Sequence, residues 1–127
     1  MNANLYNGLT LAYIGDAIFE IYIRKEALAA GLTKVKEIHK FVTKRVNSEA
    51  QAKYIKYLLD NNFLTEEEKD IYLRGRNAHV KSNRKNVDLM IYHEATGFEA
   101  LAGYLNLIGD DSRLYEIFEK VFREVEI

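Results

Sequence analysis

Two carboxylates stand where a chain rarely leaves one unaccompanied. Asp16 lies within Leu11-Ala12-Tyr13-Ile14-Gly15-Asp16-Ala17-Ile18-Phe19, and Glu99 within Gly97-Phe98-Glu99-Ala100-Leu101-Ala102-Gly103-Tyr104-Leu105. Each is a lone acid in an apolar stretch rich in small residues. A buried carboxylate without a partner is costly or takes up a proton, so a chain with two such acids points to a compensating cation. Ala12, Gly15, Ala17, Ala100, Ala102 and Gly103 carry little or no side chain. They would let two helices approach closely, with one acid from each facing the other. Glycine is about 1 kcal/mol worse than alanine inside a helix, so Gly15 and Gly103 call for a steric reason. The chain has no cysteine, and its histidines show no ligand spacing. Two facing carboxylates therefore favour a hard, oxygen-binding ion. Mg²⁺ fits best, because it takes one or two protein carboxylates and keeps several waters. The alternative is that these acids are solvated, or paired with Arg24 or Lys25. Glu20, one turn beyond Asp16, is read as the partner of Arg24, its i+4 neighbour.

The second chemical feature is basic. Arg74, Arg76, Lys81, Arg84 and Lys85 fall within thirteen residues that contain no acid, whereas the whole chain has a net charge of −1. Residues 34–57 hold Lys34, Lys36, Lys40, Lys44, Arg45, Lys53 and Lys56 against Glu37 and Glu49. Such asymmetry on a near-neutral protein is the footprint of a phosphate-binding face. The cluster Arg74-Gly75-Arg76-Asn77 carries the most weight. Two arginines, a glycine read as a flexible hinge and an amide suit bidentate contacts to phosphate. The histidines are read as a half-exposed helix position for His39 and His93 and as a loop residue for His79. No Gly-rich phosphate loop and no Ser-His-Asp order is visible.

Helices must position these groups. The chain has 127 residues, 48% hydrophobic and 29% charged, and no proline. That composition predicts one globular domain over residues 1–127, built from packed helices. The first helix is expected over about 9–29, with Leu11, Ile14, Ile18, Ile21 and Tyr22 as its buried face and Gly31 as a left-handed stop. A second covers about 35–45. A third opens at Ser48, where Ser48-Glu49-Ala50-Gln51 reads as a capping box, and breaks at Asn61-Asn62. A fourth opens at Thr65, with Glu68 at capping-box spacing, and runs to about Gly75. Residues 77–86 read as a loop. A fifth helix spans about 87–107 and stops near Gly109. A sixth, opened by Asp110 or Ser112, reaches about Glu124. The expectation is an all-α domain of five to seven helices. No apolar run has the length of a membrane span, and the start MNANLYNGLT has neither a basic lead nor a signal core. A cytoplasmic protein is expected.

Three stretches together resemble the ribonuclease III endonuclease-domain family. Tyr13-Ile14-Gly15-Asp16-Ala17-Ile18-Phe19-Glu20 is similar to its signature helix. Arg74-Gly75-Arg76-Asn77-Ala78 is similar to its downstream basic motif, and Phe98-Glu99-Ala100-Leu101-Ala102-Gly103-Tyr104-Leu105 to its second acidic motif. Larger members carry further acids at the positions of Ala12 and Thr96. Their loss, with a chain that stops at Ile127 and is expected to lack a double-stranded-RNA-binding domain, resembles the short branch, Mini-ribonuclease III.

The resemblance implies an all-α homodimer that cuts double-stranded RNA with Mg²⁺. It implies Asp16 and Glu99 as the catalytic and metal-holding acids, and 5′-phosphate products. It also implies the precursor of 23S ribosomal RNA as substrate, with room for ribosomal proteins as accessory partners. Arg74, Arg76, Asn77, Lys81, Arg84 and Lys85 are assigned to RNA contacts, and the signature helix is expected to contribute to the dimer interface. Two other readings stay open: a non-catalytic RNA-binding or ribosome-associated module, which would be expected to lack one of the two acids, and a plain helical dimerisation protein.

Overall fold

The computed structural model describes residues 2–78 and 87–127. Among them are a short 3₁₀ turn over Ala3–Leu5 and six α-helices: α1 (Gly8–Ala29), α2 (Val35–Val46), α3 (Ser48–Asp60), α4 (Glu66–Arg76), α5 (Val87–Leu107) and α6 (Asp111–Glu124). There is no strand among the described residues.

Each helix stops for a local reason. In α1, Leu32 N–H donates to Ala27 O and Gly31 N–H to Leu28 O, with Gly31 at φ +94°. The same closure ends α3 around Asn62 (φ +51°) and α5 around Gly109 (φ +78°). Each takes the left-handed position that lets the last carbonyls find donors, and no proline is needed. The starts of α1, α3, α4 and α6 are capped by side chains. Asn7 Oδ1 accepts from Thr10 N–H, and Asp110 Oδ1 from Arg113 N–H. Thr65 and Glu68 form the expected reciprocal capping box. The start of α3 differs from expectation. Asn47, not Ser48, is its cap, accepting from Ala50 N–H at 2.8 Å. Asparagine is among the best residues for that position. Gln51 is therefore released from the capping role and turns into the interior, 2% exposed.

Helix α5 is the axis of the molecule. It packs against α1, α3, α4 and α6, and from Ala95 to Leu105 every residue except Glu99 is buried. A helix apolar all round is one surrounded on all sides. Phe19 of α1 lies edge-on to Phe98 of α5 at 5.2 Å between ring centroids, to Phe118 of α6 at 4.9 Å and to Tyr54 of α3 at 5.6 Å. These rings form the aromatic centre of the core.

The buried face of α1 is not the expected one. Gly8, Leu11, Ala12, Gly15, Phe19, Ile23 and Ala27 face inward. Ile14, Ile18 and Tyr22 are only partly covered, and Ile21 is 47% exposed. Helix α1 meets α5 most closely at Gly15, and the inward stripe through Leu11, Phe19 and Ile23 leaves Ile14, Ile18, Ile21 and Tyr22 on its flanks.

Candidate active site

The α1–α5 contact is backbone against backbone. A Cβ on Gly15 would lie 1.7 Å from the carbonyl oxygen of Glu99, and one on Gly103 would lie 1.9 Å from that of Leu11. Real Cβ atoms do not approach backbone this closely, so glycine is obligatory at both positions of this crossing. Asp16 follows Gly15, and Glu99 lies directly beneath it. The crossing thus brings the two acids together although 82 residues separate them in the sequence.

The Asp16 side chain is exposed and Glu99 is half-buried. The two carboxyl groups are in hydrogen-bonding contact, and Glu99 is pushed up to about 8 from an ordinary 4.5. Burial is the largest cause, followed by the hydrogen bond and negative charge of Asp16. A hydrogen bond from Gln51 offsets part of it. A half-buried carboxyl this close to a negative charge ionises reluctantly, so Glu99 keeps its proton at neutral pH. A divalent cation in place of that proton would relieve the same repulsion. No group of three or more His, Cys, Asp or Glu side chains suited to a metal occurs among the described residues. A cation held here would complete its shell mainly with water or substrate oxygens, a composition that suits Mg²⁺. Glu20 is paired with Arg24 at 3.4 Å, as read from the sequence, and stays outside the pair.

The basic motif is placed differently from expectation in one respect. Gly75 is no hinge. It lies in the last turn of α4, buried, where a Cβ would meet Ala100 Cβ at 2.4 Å and Gly97 Cα at 3.0 Å. It serves close packing of α4 on α5. The flanking arginines diverge. Arg74 donates from its guanidinium to the Tyr6 carbonyl oxygen and fastens the N-terminal turn to α4. Arg76 lies 3.6 Å from Glu94, whose other oxygen accepts from Tyr72 Oη–H. Asn77 caps the C-terminus of α4 and is exposed. Lys81, Arg84 and Lys85, together with His79, lie outside the described residues. On α2, Lys36, Lys40 and Lys44 are exposed at i, i+4 and i+8.

Sequence reasoning missed two polar groups, one buried and one partly buried. Gln51 was read as part of a cap, yet it occupies a core position in the periodic set 51, 54, 55, 58, all of which are buried. That mismatch between residue type and period was the available signal. The other is Arg113, which donates to both oxygens of Glu68 at 2.8 Å and to the Phe63 carbonyl. It ties the start of α6 to the capped start of α4.

Comparison with known proteins agrees with this fold. The profile of the ribonuclease III domain matches residues 9–110. Mini-ribonuclease 3 of Streptococcus pneumoniae is 40% identical over 126 residues, covering 99% of this chain and 98% of that protein. Mini-ribonuclease 3 of Enterococcus faecalis is 45% identical over 119 residues, covering 94% and 90%. The crystal structure of a Fusobacterium nucleatum protein superposes with a TM-score of 0.80 at 34% identity, covering 94% of this chain and 93% of that one.

Proposed function

The chain belongs to the ribonuclease III family of endoribonucleases acting on double-stranded RNA, and from that premise we propose that Asp16 and Glu99 are its catalytic acids, holding Mg²⁺ between them. The observation that carries the assignment is their convergence at the Gly15–Gly103 crossing. Asp16, at the surface, is accessible to a phosphate backbone. Glu99, half-buried, is oriented by what surrounds it. Mg²⁺ bound by this pair would supply electrostatic stabilisation of the charge developing on the scissile phosphate and acidify an attacking water. In the hydrolysis the water oxygen forms a bond to phosphorus and the bond from phosphorus to the 3′-oxygen breaks. The leaving oxygen takes up a proton, which gives 5′-phosphate and 3′-hydroxyl ends.

Residues 1–127 act as a single catalytic domain in this reading. Two copies related by a two-fold axis would present one site to each strand of a duplex. The exposed apolar residues Leu9 and Tyr13, one turn apart on α1, with Leu5 just before them, support α1 as part of that interface. The basic residues Arg74, Arg76, Asn77, Lys81, Arg84 and Lys85 are proposed to line the RNA path, with Arg74 and Arg76 also bracing the protein. The precursor of 23S ribosomal RNA is the proposed substrate, supported by the resemblance to the short branch of the family.

Asp16→Asn tests the assignment. It removes the charge while keeping the shape. Cleavage of a long RNA duplex in Mg²⁺ is expected to fall by more than about 100-fold, the scale of losing one group that stabilises transition-state charge. Binding of the duplex in the presence of chelator should be unchanged. Near wild-type cleavage by folded Asp16→Asn would overturn it.

A further inference from the structure

Gln51 is the polar side chain that the packing explains least. It occupies an interior position of α3, 2% exposed, where the period of that helix asks for an aliphatic residue. Its Nε2 donates to the Val46 carbonyl at the end of α2, at 2.7 Å. An amide nitrogen carries a second N–H, and the Gln51 amide is close enough to Glu99 on α5 to offset part of the upward push on its carboxyl. Its Oε1 is buried and meets no hydrogen-bond partner among the described residues. Leaving a buried acceptor unpaired is destabilising, and a leucine would avoid it. The bond to Val46 explains the nitrogen of this amide but leaves its oxygen unaccounted for, and the position beside Glu99 supplies a second role.

We propose that Gln51 is a positioning residue for the metal-holding pair: anchored on the Val46 carbonyl, its amide holds the Glu99 carboxylate in the orientation that faces Asp16. The inference rests on the reading of Asp16 and Glu99 as the cation site. The anchor matters because it fixes the amide. With one N–H tied to backbone, the other points in a set direction, and a carboxylate on a long side chain loses its rotational freedom. Groups that orient a ligand without touching the metal typically tune its affinity by about 10- to 100-fold.

The test compares Gln51→Leu and Gln51→Met with wild type in two measurements. One is the rise of the thermal unfolding midpoint with Mg²⁺ concentration in the absence of RNA. The other is kcat and KM on an RNA duplex across a Mg²⁺ titration. Both variants keep volume and remove the amide, so if one fails to fold the other carries the test. The expected result is an upward shift of about tenfold in the Mg²⁺ concentration for half-maximal stabilisation and for half-maximal kcat, with KM for RNA unchanged. In a Glu99→Gln background the substitution should add no further shift. A Mg²⁺ dependence equal to wild type, or an equal shift in the Glu99→Gln background, would overturn the proposal. Asp16→Asn separates the two levels. If it abolishes stabilisation by Mg²⁺ while Gln51→Leu leaves it unmoved, only the role of Gln51 falls. If Asp16→Asn leaves the stabilisation intact, the cation site falls, and the role of Gln51 with it.

Discussion

Glu99 makes the metal-free protein sensitive to alkali. Its carboxyl is pushed up to about 8 in the fold from 4.5. Between those values the folded protein binds a proton that the unfolded chain releases, so stability falls as pH rises through that window. Glu68 acts in the opposite sense. Burial pushes it up, but hydrogen bonds from Arg113 and Thr65 outweigh this and hold it below 4.5. Its contribution is present above its unfolded value and lost only in more acidic solution, outside the window. In chelator, urea unfolding is therefore expected to show greater stability at pH about 5.5 than at about 8.5, with Glu99→Gln flattening the difference. A pH-independent wild type would contradict the raised Glu99 carboxyl.

At this scale the sequence was informative where a residue type clashed with its surroundings. Asp16 and Glu99 stood out because acids do not belong in small apolar helices. Gln51 did not, because glutamine near a helix start has an ordinary reading as a cap. The arginines were legible as charge but not as geometry. Arg74 reaches a carbonyl 68 positions away, and nothing in the local sequence encodes that.

Between elements, the α1–α5 crossing decides the site. Replacing Gly103 with alanine would ordinarily gain about 1 kcal/mol of helix propensity. Here the new Cβ would fall 1.9 Å from the Leu11 carbonyl oxygen. The helices must separate, and a net loss of about 2 kcal/mol is expected, in the range of overpacked interiors. The measurement is the urea midpoint of Gly103→Ala, together with a fall in cleavage as the acids move apart. A variant as stable and as active as wild type would show that the crossing is slack. Helix boundaries were legible because their stops are chemical: Gly31, Asn62 and Gly109 each mark one. The buried face of α1 was not. Periodicity weights large aliphatic residues, whereas the inward stripe of this helix mixes Leu11, Phe19 and Ile23 with Gly8, Ala12, Gly15 and Ala27.

For the whole molecule, the question is what covers the outer side of α1. Leu5 is 81% and Tyr13 80% exposed, with Leu9 at 45%. Apolar surface of this kind at neighbouring positions marks an interaction site. Under the proposed two-fold assembly, Tyr13→Glu would place like charges across the axis. Its sedimentation coefficient should drop to that of a single chain, while circular dichroism stays helical. Unchanged sedimentation of an assembled Tyr13→Glu would place the contact elsewhere. No described helix is long and apolar enough to cross a membrane.

The glycine crossing has a mechanical consequence. The spacing between the two acids is inherited from main chains resting on each other, and rotamers of the surrounding rings have little say in it. Damage to the aromatic centre should then lower the melting temperature well before it slows turnover, because molecules that remain folded keep the same gap between their carboxylates.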